Sequence, residues 1–258
     1  MKIKMIVTDL DGTLLKTDKT ISAYTKDTLA HYRALGTKVV YATGRGSDGT
    51  QFLHTLFDAQ IHMNGAIATV DEQIIYERLI PYETARDFLM ACDEKGLQVT
   101  SQSKDTHYSN FVVSHVWPWI DNFEIVDFAT HAIDAQKIYL TRLTPTDLDF
   151  IQSILPDELY MVMANDGLLM IMHTEATKWS AISAVADYFG IDPSEIVAFG
   201  DDLNDIDMLS HAGISVAMAN ASHEVKSIGR HICDSNDDDG VARWLEAHAT
   251  PIVCHTNN

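Results

Sequence analysis

The sequence predicts an α/β protein in which a doubly wound parallel sheet is interrupted by a second, inserted α/β domain. Three observations carry this expectation. Short apolar, β-rich runs end repeatedly in carboxylates or in Thr-Gly. Amphipathic helical stretches alternate with those runs in the first and last thirds of the chain. Between the two thirds, roughly 90 residues show strands abutting strands, too long a segment for a connection when loops beyond about 15 residues are uncommon.

The elements follow in order. Residues 3–8, IKMIVT, form an apolar run suited to a strand buried on both faces. Ser22 reads as a helix N-cap, and Tyr24, Leu29, Tyr32 and Leu35 recur at helical spacing before Gly36 closes the helix. TKVVYATG is a second strand, SDGTQFLHTLF a helix, and QIHMNGAIATV a third strand with a turn at Asn64-Gly65. Strand, helix, strand, helix, strand with buried strands implies parallel pairing and right-handed crossovers. The last third repeats the rhythm. KWSAISAVADYFG is amphipathic, EIVAFGDD is a strand ending in acids, and NDIDMLSHAG is a helix. ISVAM, SHEVKSI, HICD and DGVARWLEAH then read as strand, helix, strand and helix. The core is thus a Rossmann-like sheet built from residues 1–80 and 175–258. Residues 81–174 are the insertion, with helices at YETARDFLMACDEKG and TPTDLDFIQSIL. Its strands are LQVTSQ, THYSNFVV, KIYLTRL, LYMVMAN and LLMIMH, and antiparallel pairing is expected.

Composition excludes several classes. A hydrophobic fraction of 46% with 21% charged residues is that of a globular chain, and no run approaches the roughly 20 apolar residues of a membrane span. The net charge of -19 argues against nucleic acid or an anionic membrane as partner. It also requires a local cation wherever an anionic substrate binds. The N-terminal run ends in aspartates instead of a cleavage site, and Cys92, Cys233 and Cys254 fit no zinc spacing. A cytoplasmic location and a monomer or weak dimer are expected.

Four places sit at strand ends or helix starts, where open parallel sheets bind ligands. Asp9 and Asp11, two apart in DLDGTLL, fall on one side of an extended segment if alternation persists, and two close carboxylates call for a cation between them. Mg2+ suits such hard oxygen ligands, although Asp-x-Asp-Gly-Thr is equally an Asx-turn leaving a strand. Thr43 and Gly44 offer a hydroxyl and an approachable backbone for an oxyanion, or simply a strand-to-helix turn. Lys178 opens its helix against the dipole, which an adjacent anion explains as well as solvent does. Asp201, Asp202, Asn204 and Asp205 crowd one strand-to-helix junction, more than an N-cap needs.

Taken in order, DLDGTLL, ATGR, a lysine opening a helix, and GDDLNDIDML resemble the four motifs of the haloacid dehalogenase (HAD) superfamily. More narrowly they resemble its Cof-type branch of sugar phosphatases, with a class IIB cap. MNGA at residues 63–66 and SNDDDGVARWL near the C-terminus match further habits of that branch, and the insertion falls where its α/β cap lies. The resemblance implies a Mg2+-dependent phosphomonoester hydrolase for a small phosphorylated metabolite, with no nucleic-acid or membrane partner. It implies Asp9 as nucleophile and Asp11 as general acid and base. Mg2+ is implied on the Asp9 carboxylate, the Asp11 main-chain carbonyl and Asp201, with Asp205 close behind. Thr43, Gly44, Lys178 and Asn204 are implied as holders of the phosphoryl oxygens. An acid at position 11 points to a phosphatase or phosphomutase within the superfamily. The sequence departs from the branch at Gly46, where proline is common, and at Trp179, where glycine is common; both bear on substrate choice. A phosphomutase, a phospho-aspartate receiver module and a silent binding protein are the rival readings. In the insertion, Trp117 and Trp119 flank Pro118 as a platform for a sugar or as packing of the domain itself.

Overall fold

The computed structural model describes residues 3–163 and 167–248. Cys254 and the end of the LYMVMAN run lie outside them. The chain divides into two compact units. One comprises Met1–Arg45, Gly49–Glu77 and Thr177–Asn258, the other Gly46–Asp48 and Arg78–Ala176.

The first unit begins with β1 (Met5–Thr8), α1 (Ala23–Ala34), β2 (Lys38–Ala42), β3 (Ala59–His62), β4 (Ile67–Val70) and β5 (Gln73–Glu77). The second unit follows with α2 (Tyr82–Glu94), β6 (Gln98–Ser103), β7 (Thr106–Ser109), β8 (Phe123–Ile125), β9 (Lys137–Thr141), α3 (Pro145–Ile154), β10 (Leu159–Met163) and β11 (Leu169–His173). The chain then returns to the first unit with α4 (Lys178–Phe189), β12 (Ile196–Gly200), α5 (Ile206–His211), β13 (Ile214–Ala217), α6 (His223–Ile228), β14 (His231–Ile232) and α7 (Gly240–His248).

The first unit's sheet runs β14-β13-β12-β1-β2-β3-β4-β5, parallel from β14 to β3 and antiparallel beyond. β1 is central, with Met5 opposite both Ile196 and Lys38, and all four of its residues are inaccessible to solvent. That is why its sequence is an unbroken apolar run instead of an alternating one. The chain steps from β1 to β2 on one side and from β12 to β13 on the other. Right-handed crossovers therefore place α1 and α5 on opposite faces. α1 packs beside α7, and α4 beside α5. Parallel pairing puts the carboxyl ends of β12, β1 and β2 side by side, and the chain's change of direction across the sheet beside β1 is the place where such sheets form a crevice.

The second unit's sheet runs β10-β11-β9-β6-β7-β8 and is antiparallel except for β7 with β8. One face packs Val99, Ile138, Leu140 and Ile171 against Phe88 and Leu89 of α2 and Ile151 of α3. Thr144 and Asp147 close a reciprocal capping box at the start of α3, as TPTD requires. The other face carries the alternate residues: Thr100 opposite Tyr139, and Gln102 between Lys137 and His107. Trp117 sets its ring edge against Tyr139 at 5.4 Å, whereas Trp119 is 77% exposed. No helix among the described residues is long and apolar enough to cross a membrane.

Two local expectations are corrected. SDGTQFLHTLF forms two short 3-10 turns, Ser47–Gly49 and Gln51–Leu56, not a helix. Thr50 interrupts it at φ -132°, ψ 0°, where its hydroxyl accepts a bond from Tyr41 at 3.1 Å. NDIDMLSHAG becomes helical only from Ile206, after a 3-10 turn over Leu203–Asp205. β5 and β8 are strands that the sequence pattern did not announce; both show mostly exposed residues with no alternation.

Candidate active site

The site starts with backbone. Parallel pairing continues one residue past β1, where the Asp9 N–H donates to the Phe199 carbonyl at 3.0 Å. This fixes Asp9, 6% exposed, beside the end of β12. The Thr43 N–H donates to the Ile61 carbonyl at 2.9 Å and extends β2 in the same way. After β12 the chain turns through residues 201–205. There Asp205 folds back so that its Oδ2 accepts the N–H groups of Asp201 at 2.9 Å and Asp202 at 3.1 Å.

Lys178 completes the cluster. Thr177 caps α4 by accepting from the Ser180 N–H at 3.1 Å, which makes Lys178 the first helical residue. The Lys178 side chain is fully buried, and its Nζ donates to Asp9 Oδ1 at 2.7 Å and Asp205 Oδ1 at 2.6 Å. The two carboxylates offset both its desolvation and its unfavourable place at a helix N-terminus. Burial by itself opposes the Lys178 charge, but Asp205 and Asp9 outweigh it and raise its pKa.

The acids are short of positive charge. Burial pushes the Asp9 carboxyl well above its ordinary value; Lys178 counters this, and Asp205 and Asp201 add to it. Asp201 is pushed up to about 7 by burial and then by Asp205, against the Thr13 hydroxyl that donates to its Oδ1 at 2.7 Å. Asp9, Asp201 and Asp205 offer oxygens all within 4.8 Å of one another. One ammonium among three carboxylates leaves a site of hard oxygen donors that a divalent cation would neutralise. The donor set thus fits such an ion. Asp205 is largely engaged by Lys178 and the two N–H groups, so it organises the loop more than it offers free lone pairs.

The expected pairing of Asp9 with Asp11 on one side of a strand is not found. β1 ends at Thr8, Leu10 sits in a turn, and the alternation does not reach Asp11. The carboxylate of Asp11 turns to Arg45, which binds it through Nε at 2.5 Å and Nη2 at 2.6 Å, and to Lys19 at 2.6 Å. Burial opposes its ionisation, but the bonds from Arg45 and Lys19 prevail and hold its pKa below the usual value. The like-charge cluster is therefore made by Asp9 with Asp201 and Asp205. Gly12 (φ +82°) makes this possible, because a Cβ there would overlap the Asp201 carboxylate.

Opposite these acids, the Thr43 hydroxyl accepts the Arg45 N–H at 3.2 Å. Asn204 Nδ2 donates at 2.8 Å to Asn64 Oδ1, and the Asn64 N–H donates to the Thr43 carbonyl at 2.9 Å. Asn64, φ 56° and buried, therefore ties the expected phosphate loop at Thr43 and Gly44 to Asn204. The structure brings Asp9, Asp201, Asp205 and Lys178 into one cluster, and links Thr43, Gly44 and Asn204 through Asn64. Arg45, Lys19 and Asn64 received no role from sequence reasoning. Arg45 and Asn64 lay inside quoted motifs, ATGR and MNGA, while Lys19 carries no signal. Gly65 (φ +100°) packs so tightly that a Cβ would overlap the Thr177 carbonyl just before Lys178. Gly65→Ala is expected to cost more than about 2 kcal/mol, because backbone strain and a backbone clash add; thermal unfolding checks it.

An acid cluster held by a buried lysine at the carboxyl edge of a doubly wound sheet lies where such sheets bind ligands, and its hard oxygen donors suit metal-assisted chemistry. The family profile of haloacid dehalogenase-like hydrolases matches residues 6–245, and the chain belongs to that family. Among curated proteins it is 29% identical to 5-amino-6-(5-phospho-D-ribitylamino)uracil phosphatase YitU of Bacillus subtilis, over 95% of this chain and 97% of that one. It is also 29% identical to the putative phosphatase YxeH of the same organism, over 94% and 97%. Among solved structures it matches the HAD subclass IIB sugar phosphatase BT4131 at 25% identity and a TM-score of 0.83, covering 95% of this chain and 98% of that one. A HAD phosphatase of Bacteroides thetaiotaomicron matches equally at 25% and 0.83, covering 95% and 94%. The resemblance read from the motifs, the fold class and the enzyme class, a HAD-type phosphatase, all hold.

Proposed function

We propose that this phosphatase hydrolyses a small phosphorylated metabolite, a sugar phosphate foremost, with Mg2+ and through an aspartyl-phosphate on Asp9. The observation that carries the reading is Asp9 itself. It is a buried carboxylate held through one oxygen by a buried lysine, beside two further acids, at the carboxyl end of the central strand. The relatives' names support the substrate class.

Asp9 and Asp201 would hold Mg2+ with the Asp11 main-chain carbonyl, and Asp205 would stand behind them. When bound, the ion supplies the positive charge that lets a carboxylate meet a phosphate monoester. Lys178 fixes Asp9 Oδ1, which leaves Oδ2 to attack phosphorus in line as the ester P–O bond breaks. Asp11, released from Arg45 and Lys19 and carrying a proton, gives that proton to the leaving alkoxide. It then takes one from the water that attacks the phosphoryl group, which frees inorganic phosphate and regenerates Asp9. Thr43, the Gly44 N–H, Lys178 and Asn204 would bind the three phosphoryl oxygens as charge redistributes. Residues 81–174 would serve as the cap that selects the leaving group.

The test is phosphate release from p-nitrophenyl phosphate and a panel of sugar phosphates, with Mg2+ and with EDTA. Mg2+-dependent release is expected; no release from any ester sinks the reading, and transfer to a second sugar without release makes the enzyme a mutase. Asp11→Asn should slow alkyl esters by about 10²–10⁴, the usual contribution of a general acid, and slow p-nitrophenyl phosphate least.

A further inference from the structure

We propose that Asn220 and Asn236 form a brace that positions the turn carrying Asp11, an inference that rests on the acid/base reading of Asp11 above. Residues 11–15 close a tight turn: Asp11 bridges Leu15, and the Leu15 N–H donates to the Leu10 carbonyl at 2.8 Å. Asn220 Nδ2 donates to the Gly12 carbonyl at 2.7 Å, and Asn236 Nδ2 donates to the Leu15 carbonyl at 2.9 Å. The two asparagines are themselves joined, because the Asn236 N–H donates to Asn220 Oδ1 at 3.1 Å. Together they span both ends of the turn.

The residues after Asn236 act on the same segment. Asp237 accepts from the Thr17 N–H and from the Thr17 hydroxyl, each at 2.8 Å. Its carbonyl accepts Lys16 Nζ at 2.5 Å. Asp239 pairs with Lys16 at 3.3 Å and accepts the Thr25 hydroxyl at 3.0 Å. Lys16 in turn bonds through its backbone to Thr20 and Lys19, and Lys19 holds Asp11. A solvated acidic surface run has no reason to hold the end of the turn at Leu15 and then Lys16 and Thr17, the residues that follow it. The SNDDDG stretch, which the chemistry of the site leaves unused, is thus the anchor of the loop that presents Asp11. A general acid acts only within hydrogen-bond reach of the leaving oxygen, and a displacement near 1 Å can cost about a hundredfold.

Asn220→Asp is the sharpest probe. It keeps the shape and the acceptor for the Asn236 N–H, but replaces the donor facing the Gly12 carbonyl with an oxygen. Asn236→Ala is its companion, removing the other contact. In both variants the ratio of turnover on glycerol 3-phosphate to that on p-nitrophenyl phosphate is expected to fall about tenfold, the scale of a supporting-residue loss. The aryl ester needs little help from an acid, so a merely structural defect would lower both esters together and leave the ratio unchanged; that result overturns the proposal. Amide hydrogen exchange at Thr13 and Leu15 supplies a readout independent of turnover. It is expected to quicken in both variants, and unchanged exchange overturns the brace. If the parent enzyme does not hydrolyse glycerol 3-phosphate, an alkyl ester from the panel that it does hydrolyse takes its place; if it hydrolyses none, the phosphatase reading fails, and exchange alone still decides whether the asparagines hold the turn.

Discussion

Asp9→Asn abolishes turnover on every ester, by at least about a thousandfold, while the protein stays folded. The amide is nearly isosteric but cannot attack phosphorus, and removing a nucleophile typically collapses the whole chemical cycle. The stability effect has the opposite sense from that of an ordinary buried-group loss. Burial raises the pKa of Asp9 well above its ordinary value, so the folded protein holds this proton more tightly than the unfolded chain does. Ionising Asp9 at neutral pH therefore opposes folding of the metal-free protein, and the penalty grows as pH rises from the unfolded pKa toward the folded one. Lys178 keeps Asp205 as partner after the substitution. The unfolding temperature in EDTA at pH 7 should accordingly be equal to or above that of the parent. A variant both inactive and strongly destabilised would make Asp9 a structural residue instead.

Lys178→Met should have the largest effect on stability. It removes the ammonium that bonds Asp9 and Asp205 and leaves Asp9, Asp201 and Asp205 buried together without it. Losing one partner of a buried ion pair costs about 3–5 kcal/mol, because the remaining charge stays desolvated. Urea unfolding at pH 7 in EDTA measures this. The deficit should shrink as pH falls through about 7, since Asp201 then takes up a proton, Asp9 with its own raised pKa follows, and the uncompensated charge disappears. Turnover should fall at least about a hundredfold as well, the scale of losing one preorganised donor to the transferring group. A stable, active Lys178→Met protein would remove the lysine from the site altogether.

These two residues also show what sequence could and could not reveal. Asp9 was legible because an apolar run without alternation suits a strand buried on both faces, and because the ordered motifs, more than a carboxylate that an Asx-turn would also explain, mark its end as a site. Lys178 was legible only in the ordered motifs, since a cation opening a helix against the dipole is explained by solvent as well as by an anion. Asp201 and Asp205 stood out as more acid than a cap requires. Asp11 was placed on the right turn, but the direction of its side chain was misread, because alternation was extended past the last residue of the strand. Its partners could not be read. Arg45 reaches Asp11 across 34 residues and Lys19 across 8, and such pairings exist only once the loops are folded together. Asn64 and Asn236 lie inside quoted motifs, but their roles, like that of Asn220, could not be read, since an asparagine that bonds a distant group resembles one in any turn. In the fold, the missing strands β5 and β8 are mostly exposed at their positions, so neither buried runs nor alternation marked them.

The covalent step is the central claim, and trapping it is the most direct test. Enzyme mixed with p-nitrophenyl phosphate and Mg2+ would be quenched during turnover and treated with borohydride, which reduces an acyl phosphate to the alcohol. Peptide mass spectrometry would then locate the reduced residue. The account predicts conversion of the side chain at position 9 alone, dependent on substrate and absent in Asp9→Asn. Continued turnover with no reduced residue, or reduction at a different aspartate, would contradict it.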